Sequence, residues 1–470
     1  MPIGTTKGEA AHHGDRPPRV RLAYYGDDFT GSTDTLATVV SAGWRAALFL
    51  DVPTADDLAC FGPLDCVGVA GTARAMSPVE MDQALPRVLR GLAATGADVV
   101  HYKTCSTFDS APHIGSIGHA VAIAWRELGT RPAYIVGGQP NLGRYCIFAN
   151  LYARAGQGGQ VYRLDRHPTM SRHPVTPMDE ADLRVHLARQ GLAGVASFDT
   201  EMLAQDESAR VARLDALIGA GAPAVLFDVA RTADLRRIGA LLWHRQAMGQ
   251  GPLLTVGPTG AVQALLAADT ADMAGAGSDG SIAPAAASAP GGLPAAGRPV
   301  SQTFIIAGSR SPITARQVAA AEQAGFVSLV LDAAAMAGRD GDYAQALANR
   351  IVQALREGRS VVAHSTSSDD SGASRPGFTR ALAEACGRLM TDVLARHPLA
   401  RAGFAGGDTS SLAVQSWGAR ALTFAYAPSP GVAVCRVHAP GHSADQVELM
   451  LKGGQMGPPG LFVELLADAG

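Results

Sequence analysis

The chain is poor in charge, in aromatic residues and in cysteine: 17% of its 470 residues are charged, 6% are aromatic, and 6 are cysteines. No apolar run is long enough to span a bilayer, so no membrane role follows. Lys and Arg total 39 against 42 Asp and Glu, a net charge of -3, and no stripe of cations stands out. Binding to a phosphate backbone needs clustered cations, which argues against nucleic acid as the main partner. Cys60, Cys66, Cys105, Cys146, Cys386 and Cys435 form no CxxC pair and have no His at zinc-ligand spacing, so most are read as reduced core residues. The opening stretch MPIGTTKGEAAHHGDRPP lacks the apolar core of a secretion signal and reads as a disordered leader, which makes the cytoplasm the expected location.

From Val20 onward, short β-rich runs alternate with Ala/Leu-rich segments of helical period, the signature of βαβ units and a mostly parallel sheet. RLAYYG, AALFLD, CVGVAG, DVVHYK, AYIVGG, AVLFDV and LLTVGP are the expected strands of the first half. Several end in Gly or Asp, at the strand edge where open α/β sheets bind ligands. An Ala/Gly/Ser/Pro-rich stretch at 269–299 cannot bury a useful apolar face and reads as a linker or loop. The rhythm resumes with TFIIAGS, VSLVLD, SVVAHS and RAGFAGGDTS and ends in a β-rich tail. The expected fold is α/β: two α/β domains with mostly parallel sheets, 20–268 and 300–470, and the active-site cleft between them.

Three constellations bear on chemistry. In YYGDDFTGSTD, Asp27 and Asp28 stand beside glycines at a strand end, and Thr30, Ser32 or Thr33 is placed to cap the following helix. An aspartate there suits acceptance of a proton from an attacking hydroxyl, as phosphoryl transfer to an alcohol requires. Arg74, Lys103 and Arg144 each follow a strand, a pattern that fits convergent binding of a carboxylate. In the second half, AGSRSPITARQ, FAGGDTSSLAV and LKGGQMGPPG are small-residue turns whose backbone N–H groups fit phosphate oxygens. There, Gly406, Gly407 and Thr409 are placed to meet phosphate, and Asp408 to hold Mg2+ or its waters or else to cap a helix. None of the three turns matches GxxxxGK[ST] or GxGxxG, and His101, His364 and His442 have no GxSxG elbow beside them, so structural roles are expected for the histidines.

The motifs in order resemble the four-carbon acid sugar kinase family, also called DUF1537. GDDFTGSTD is similar to the family's ADDxTGxxD, HPVTPMDEADL to DPxxPMxxxDL, and GSRSPITARQ to GSxSxxTxxQ, while GGDTS and LKGGQMG resemble segments near the family's C-terminus. The resemblance covers nearly the whole chain. It implies a sugar-acid-binding N-terminal domain, an ATP-binding C-terminal domain, Mg2+, and phosphorylation of a terminal hydroxyl on a threonate, erythronate, 3-oxo-tetronate or similar acid. Carried over by position, Asp28, Arg74 and the segment Lys103, Thr104, Cys105, Ser106 hold substrate, with Asp27 the neighbouring base or metal group. Ser309, Gly406, Gly407, Asp408, Thr409 and Gly453 or Gly454 hold ATP.

The chain departs from the family in the substrate half. YKTCSTFDS stands where the family often reads YKKIDSTLRGN, and GRYCIFAN replaces the usual continuation after Arg144. The identity of the acid is thereby opened to branched or oxidised acids such as 3-oxo-isoapionate. Partners are expected to be the acid and ATP, with a homodimer left open. Two rivals stand against the kinase: a non-catalytic two-domain binding protein, which nucleotide titration separates, and an α/β dehydrogenase or aldolase, which the missing GxGxxG disfavours.

Overall fold

The computed structural model describes residues 19–156, 158–173, 175–249, 251–274, 297–309, 311–365, 377–406 and 412–466. The leader, most of the Ala/Gly/Pro-rich stretch, and Gly407, Asp408 and Thr409 lie outside the described residues.

The first half opens with β1 (Leu22–Gly26), β2 (Ala46–Phe49), β3 (Cys66–Ala70), β4 (Val99–Lys103) and β5 (Ala133–Val136), all buried along their length. After β5, β6 (Arg144–Ile147), β7 (Asn150–Arg154) and β8 (Val161–Arg163) form a separate three-stranded antiparallel sheet. β9 (Ala196–Phe198), β10 (Ala224–Phe227) and β11 (Leu253–Gly257) complete the half. The second half supplies β12 (Phe304–Ala307), β13 (Val327–Val330), β14 (Val361–His364), β15 (Arg401–Ala405), β16 (Ala421–Ser429), β17 (Val432–His438) and β18 (Glu448–Lys452).

Fifteen of these strands make one sheet, ordered β13-β14-β12-β15-β18-β17-β16-β2-β3-β1-β4-β11-β5-β10-β9. The two parallel arrays expected from the periodicity are both present, and a short antiparallel pairing, Ala421 with Phe49 and Leu422 with Leu48, joins them edge to edge. One buried apolar cluster extends from Leu22, Phe29 and Leu36 to Leu422, Cys435 and Leu449 across that seam. The parallel strands read as unbroken apolar runs because helices cover both faces of the sheet.

Register places the functional edge. Gly26 is level with Ala70 and Lys103, and Lys103 with Gly257, so β1, β3, β4 and β11 end together. In the other array Ala307 is level with His364 and Ala405, and Ala405 with Lys452. Each array therefore delivers its strand-end loops to a common rim, where open α/β sheets bind ligands. Among the described residues no helix is long and apolar enough to cross a membrane.

Candidate functional site

The first cluster grows from the end of β1. The helix Phe29–Ser41 begins at Asp28, whose carboxylate accepts from the Gly31 N–H at 3.1 Å and from Thr30 Oγ1 at 2.7 Å. Asp28, rather than Thr30, Ser32 or Thr33, is thus the cap. Its extended backbone turns the side chain back over the first turn, whereas Ser32 and Thr33 already lie inside the helix and donate to the carbonyls of Asp28 and Thr30.

Arg74 reaches both aspartates: Nη2 lies 2.8 Å from Asp27 Oδ1 and 2.9 Å from Asp28 Oδ1. Lys103 Nζ approaches Asp28 Oδ1 at 3.8 Å. Gly31 makes this convergence possible, because a Cβ there would overlap the Lys103 ammonium and crowd the Asp28 carboxylate.

The two carboxylates differ sharply. Burial pushes Asp27 up to about 6, Arg74 opposing and the Asp28 charge adding to the rise. Burial also works against charged Asp28, but Arg74, Lys103 and the bonds from Thr30 and Gly31 outweigh it and hold Asp28 at about 2. The side chain of Asp27 is 4% exposed and that of Asp28 15%, so Asp28 is the carboxylate that a ligand reaches.

The loop after β4 lies against this cluster. Cys105 Sγ is 3.1 Å from Thr107 Oγ1, which donates to Asp109 Oδ1 at 2.7 Å. Burial disfavours the Asp109 charge, yet Arg74 and the bonds from Cys105 and Thr107 hold its carboxyl below the usual range. Burial and the Asp109 charge push the Cys105 thiol up to about 11, so it stays protonated. Thr104 is buried and Ser106 half-buried beside them. Phe108, at φ 53°, turns the chain in the left-handed region, and its carbonyl meets Ser110 Oγ at 2.9 Å and His186 Nε2 at 3.2 Å. Gln190 ties Ser110 and His186 together and accepts the Ile117 N–H. Sequence reading did not single out Asp109, His186 or Gln190. Asp109 stood in the segment noted as divergent, whereas no local pattern marked the other two.

Arg144 is turned onto the hairpin it opens. Its Nη1 donates to the carbonyls of Leu142, Gly143 and Arg154; burial lowers its pKa, and the Asp109 charge opposes that shift. It adjoins the loop after β4 without pairing with the Arg74–Asp27–Asp28 set. Next to it, the buried Asp228 carboxylate accepts the Phe148 and Ala149 N–H groups and sustains a turn in which both residues have positive φ.

The second cluster lies at the ends of β12, β15 and β18. The Ser309 N–H donates to Ala405 O, and the Gly406 N–H to Lys452 O, which locks three turns side by side. Ser309 Oγ accepts the Ser311 N–H at 3.2 Å, and Ser311 caps the helix Pro312–Gln323. Gly454 faces Ser309 so closely that any Cβ would strike its hydroxyl. Gly453 starts the next turn, its carbonyl accepting the Met456 N–H. Thr314 donates to Gly454 O at 3.1 Å, and Gln317 to the carbonyls of Met456 and Pro458. Ser309, Gly406, Gly453 and Gly454 are therefore adjacent.

The histidines that stood out in the sequence have other partners. Burial lowers His101 to about 3, and its Nδ1 lies 3.0 Å from Thr255 Oγ1. His364 pairs with Ser328, and His442 stacks on Trp417. All six cysteines are free. The two clusters approach each other where Met456 and Leu142 flank the Gly431 turn.

Comparison with known proteins finds two matching families. A family described as the sugar-binding N-terminal domain matches residues 22–265, and one described as the nucleotide-binding C-terminal domain matches residues 304–462. A 3-oxo-isoapionate kinase from Paraburkholderia graminis is 40% identical over 466 residues, covering 95% of this chain and 94% of its own. A 3-oxo-tetronate kinase from Methylobacterium radiotolerans is 31% identical, covering 94% and 97%. Among solved structures, a Salmonella typhimurium protein superposes with a TM-score of 0.72 at 24% identity, covering 94% of this chain and 98% of its own. A DUF1537 protein from Haemophilus influenzae superposes at 0.67 and 21% identity, covering 94% and 99%. At these identities the two structures speak for the fold alone.

Proposed function

The chain belongs to the four-carbon acid sugar kinase family, and on that basis we propose that it is an ATP-dependent kinase that phosphorylates a terminal hydroxyl of a small oxidised sugar acid. The observation that carries this reading is the convergence of Arg74, Lys103 and the reachable, ionised Asp28 at one strand-end rim. Among the acids, a branched one of the 3-oxo-isoapionate kind comes first. The relative named for that activity is 40% identical to this chain, against 31% for one named for 3-oxo-tetronate.

In this reading 20–268 is the sugar-acid half and 300–470 the nucleotide half. Lys103 and Arg74 hold the acid's carboxylate, assisted by the hydroxyls of Thr104 and Ser106 and the thiol of Cys105. Arg144 shapes the hairpin beside them. The acceptor hydroxyl donates to Asp28. The transition state of phosphoryl transfer is loose, so the proton leaves late, and a permanently ionised carboxylate suffices to orient and receive it. Asp27, behind it, fixes Arg74. Ser309, Gly406, Gly453 and Gly454 cradle the phosphates, joined by Gly407 and Thr409.

Mg2+ bound with the nucleotide would supply neutralisation of the phosphate charge. Among the described residues no group of three His, Cys, Asp or Glu side chains is placed to hold a cation, and Asp27 and Asp28 are both engaged by Arg74. In this reading the cation comes with the nucleotide, and Asp408, which the sequence offers for it, would hold it. A cytoplasmic setting, where ATP is available, accompanies this reading.

A coupled ADP-release assay with Mg-ATP across branched C5 and linear C4 sugar acids tests it. 3-Oxo-isoapionate is expected to give the highest kcat/KM, with 3-oxo-tetronate below it. No ADP above background with any acid would overturn the proposal.

A further inference from the structure

Lys452 is the unusual residue of the nucleotide-side cluster. It is fully buried at the end of β18, where burial of an ammonium is costly without a counter-ion. Nζ donates to Thr314 Oγ1 at 3.0 Å and approaches Gly454 O at 3.5 Å, with the Phe462 ring 5.9 Å away. These contacts take up two of its three donors.

The elements packed around it carry Arg401, Arg436, His438, Glu448, Arg316, Glu322 and Glu464. Arg401 and Arg436 both pair with Glu448, and among the described residues no carboxylate lies within ion-pair distance of Lys452. Burial alone lowers its pKa, to about 7. Its backbone carbonyl meanwhile accepts the Gly406 N–H. One residue thus ties together the turns after β15 and β18 and, through Thr314, the first turn of the helix that Ser311 caps.

We propose that Lys452 is a positioning residue for the nucleotide. It braces the Gly406 and Gly454 turns from beneath and places there a positive charge for the triphosphate to neutralise. The inference rests on the kinase reading and adds to it a residue that does not touch the ligand. A polyanion bound above a desolvated ammonium favours its protonated form, so ATP binding at mildly alkaline pH draws in a proton.

The test is calorimetric titration of ATP, without sugar acid, at pH 8 in two buffers of different ionisation heat. The unaltered protein should take up roughly half a proton per ATP bound. Lys452→Met, close in volume, should take up none and bind ATP at least tenfold more weakly, while its KM for the sugar acid stays within twofold. Absence of proton uptake by the unaltered protein overturns the inference whether or not the variant folds. Equal ATP affinity in both proteins overturns it as well. If the unaltered protein binds no ATP, the kinase reading itself falls and takes this inference with it.

Discussion

If the chain is the sugar-acid kinase proposed above, the pH dependence of its turnover distinguishes Asp28 from Asp27 as the group that receives the acceptor proton. Asp28 is held at about 2 and Asp27 is pushed up to about 6, because Arg74 and Lys103 compensate the burial of the first better than that of the second. If Asp28 is the acceptor, it is almost wholly ionised throughout the working range, and kcat/KM for the sugar acid at saturating Mg-ATP stays flat between pH 7 and pH 5. If Asp27 were the acceptor, only about a tenth of it would be ionised at pH 5, and kcat/KM would fall roughly tenfold over the same interval. Asp28→Asn keeps the cap, since Asn serves at that position as well as Asp, but removes the charge. It should lower kcat by about 100-fold or more. Loss of a carboxylate whose pKa is held down at about 2 costs about 2 kcal/mol at pH 7, which leaves a folded protein. Urea titration followed by circular dichroism verifies folding, and the coupled assay gives the rates. A tenfold acid limb centred near pH 6, with Asp28→Asn turning over normally, would refute the assignment and transfer the role to Asp27.

Three further outcomes follow from the geometry. Gly31→Ala puts a methyl group into the Lys103 ammonium and the Asp28 carboxylate; it should cost about 1 to 3 kcal/mol in urea unfolding and raise the KM for the sugar acid at least fivefold, and wild-type kinetics would contradict the packing described. His186→Leu removes a partner from Ser110, Gln190 and the Phe108 carbonyl and should loosen the loop after β4, raising KM for the acid several-fold while KM for ATP stays within twofold; equal effects on both would point to general unfolding instead. Arg401→Met deletes a fully buried guanidinium paired with Glu448 at 2.7 Å and bonded to Leu465 O and Arg298 O, and should lower stability by about 3 kcal/mol. A loss below about 1 kcal/mol would show that Arg436 takes over the Glu448 charge.

Much of the fold was legible because parallel strands are written locally. Runs such as LAYYG, CVGVA, VVHYK and FIIA are buried on both faces, so their apolar continuity marks the strand, and the Gly or Lys that ends LAYYG and VVHYK marks the rim. The three-stranded sheet of β6 to β8 escaped notice because Arg144–Ile147 and Asn150–Arg154 are short and half-buried, and the turn between them is Phe148-Ala149 instead of the Gly-containing pair that signals a hairpin. That turn persists because Asp228, far away in sequence, accepts both of its N–H groups.

The same division holds for the site. Sequence order alone brought out the acidic loop, the cations after β3 and β4, and the Gly-rich turns of the second half, since each is a strand end with its own composition. Only the folded chain decided that Arg74 spans both aspartates, that Asp28 and not a hydroxyl caps the helix, and that Asp109, His186 and Gln190 stand in and behind the loop after β4. It also decided that the two parallel arrays share one sheet through two residue pairs and that Lys452 is buried without a carboxylate among the described residues. These features depend on distances between residues remote in sequence. Composition and period report which face a residue presents, whereas pairing, burial and charge compensation depend on what the other elements bring to that face.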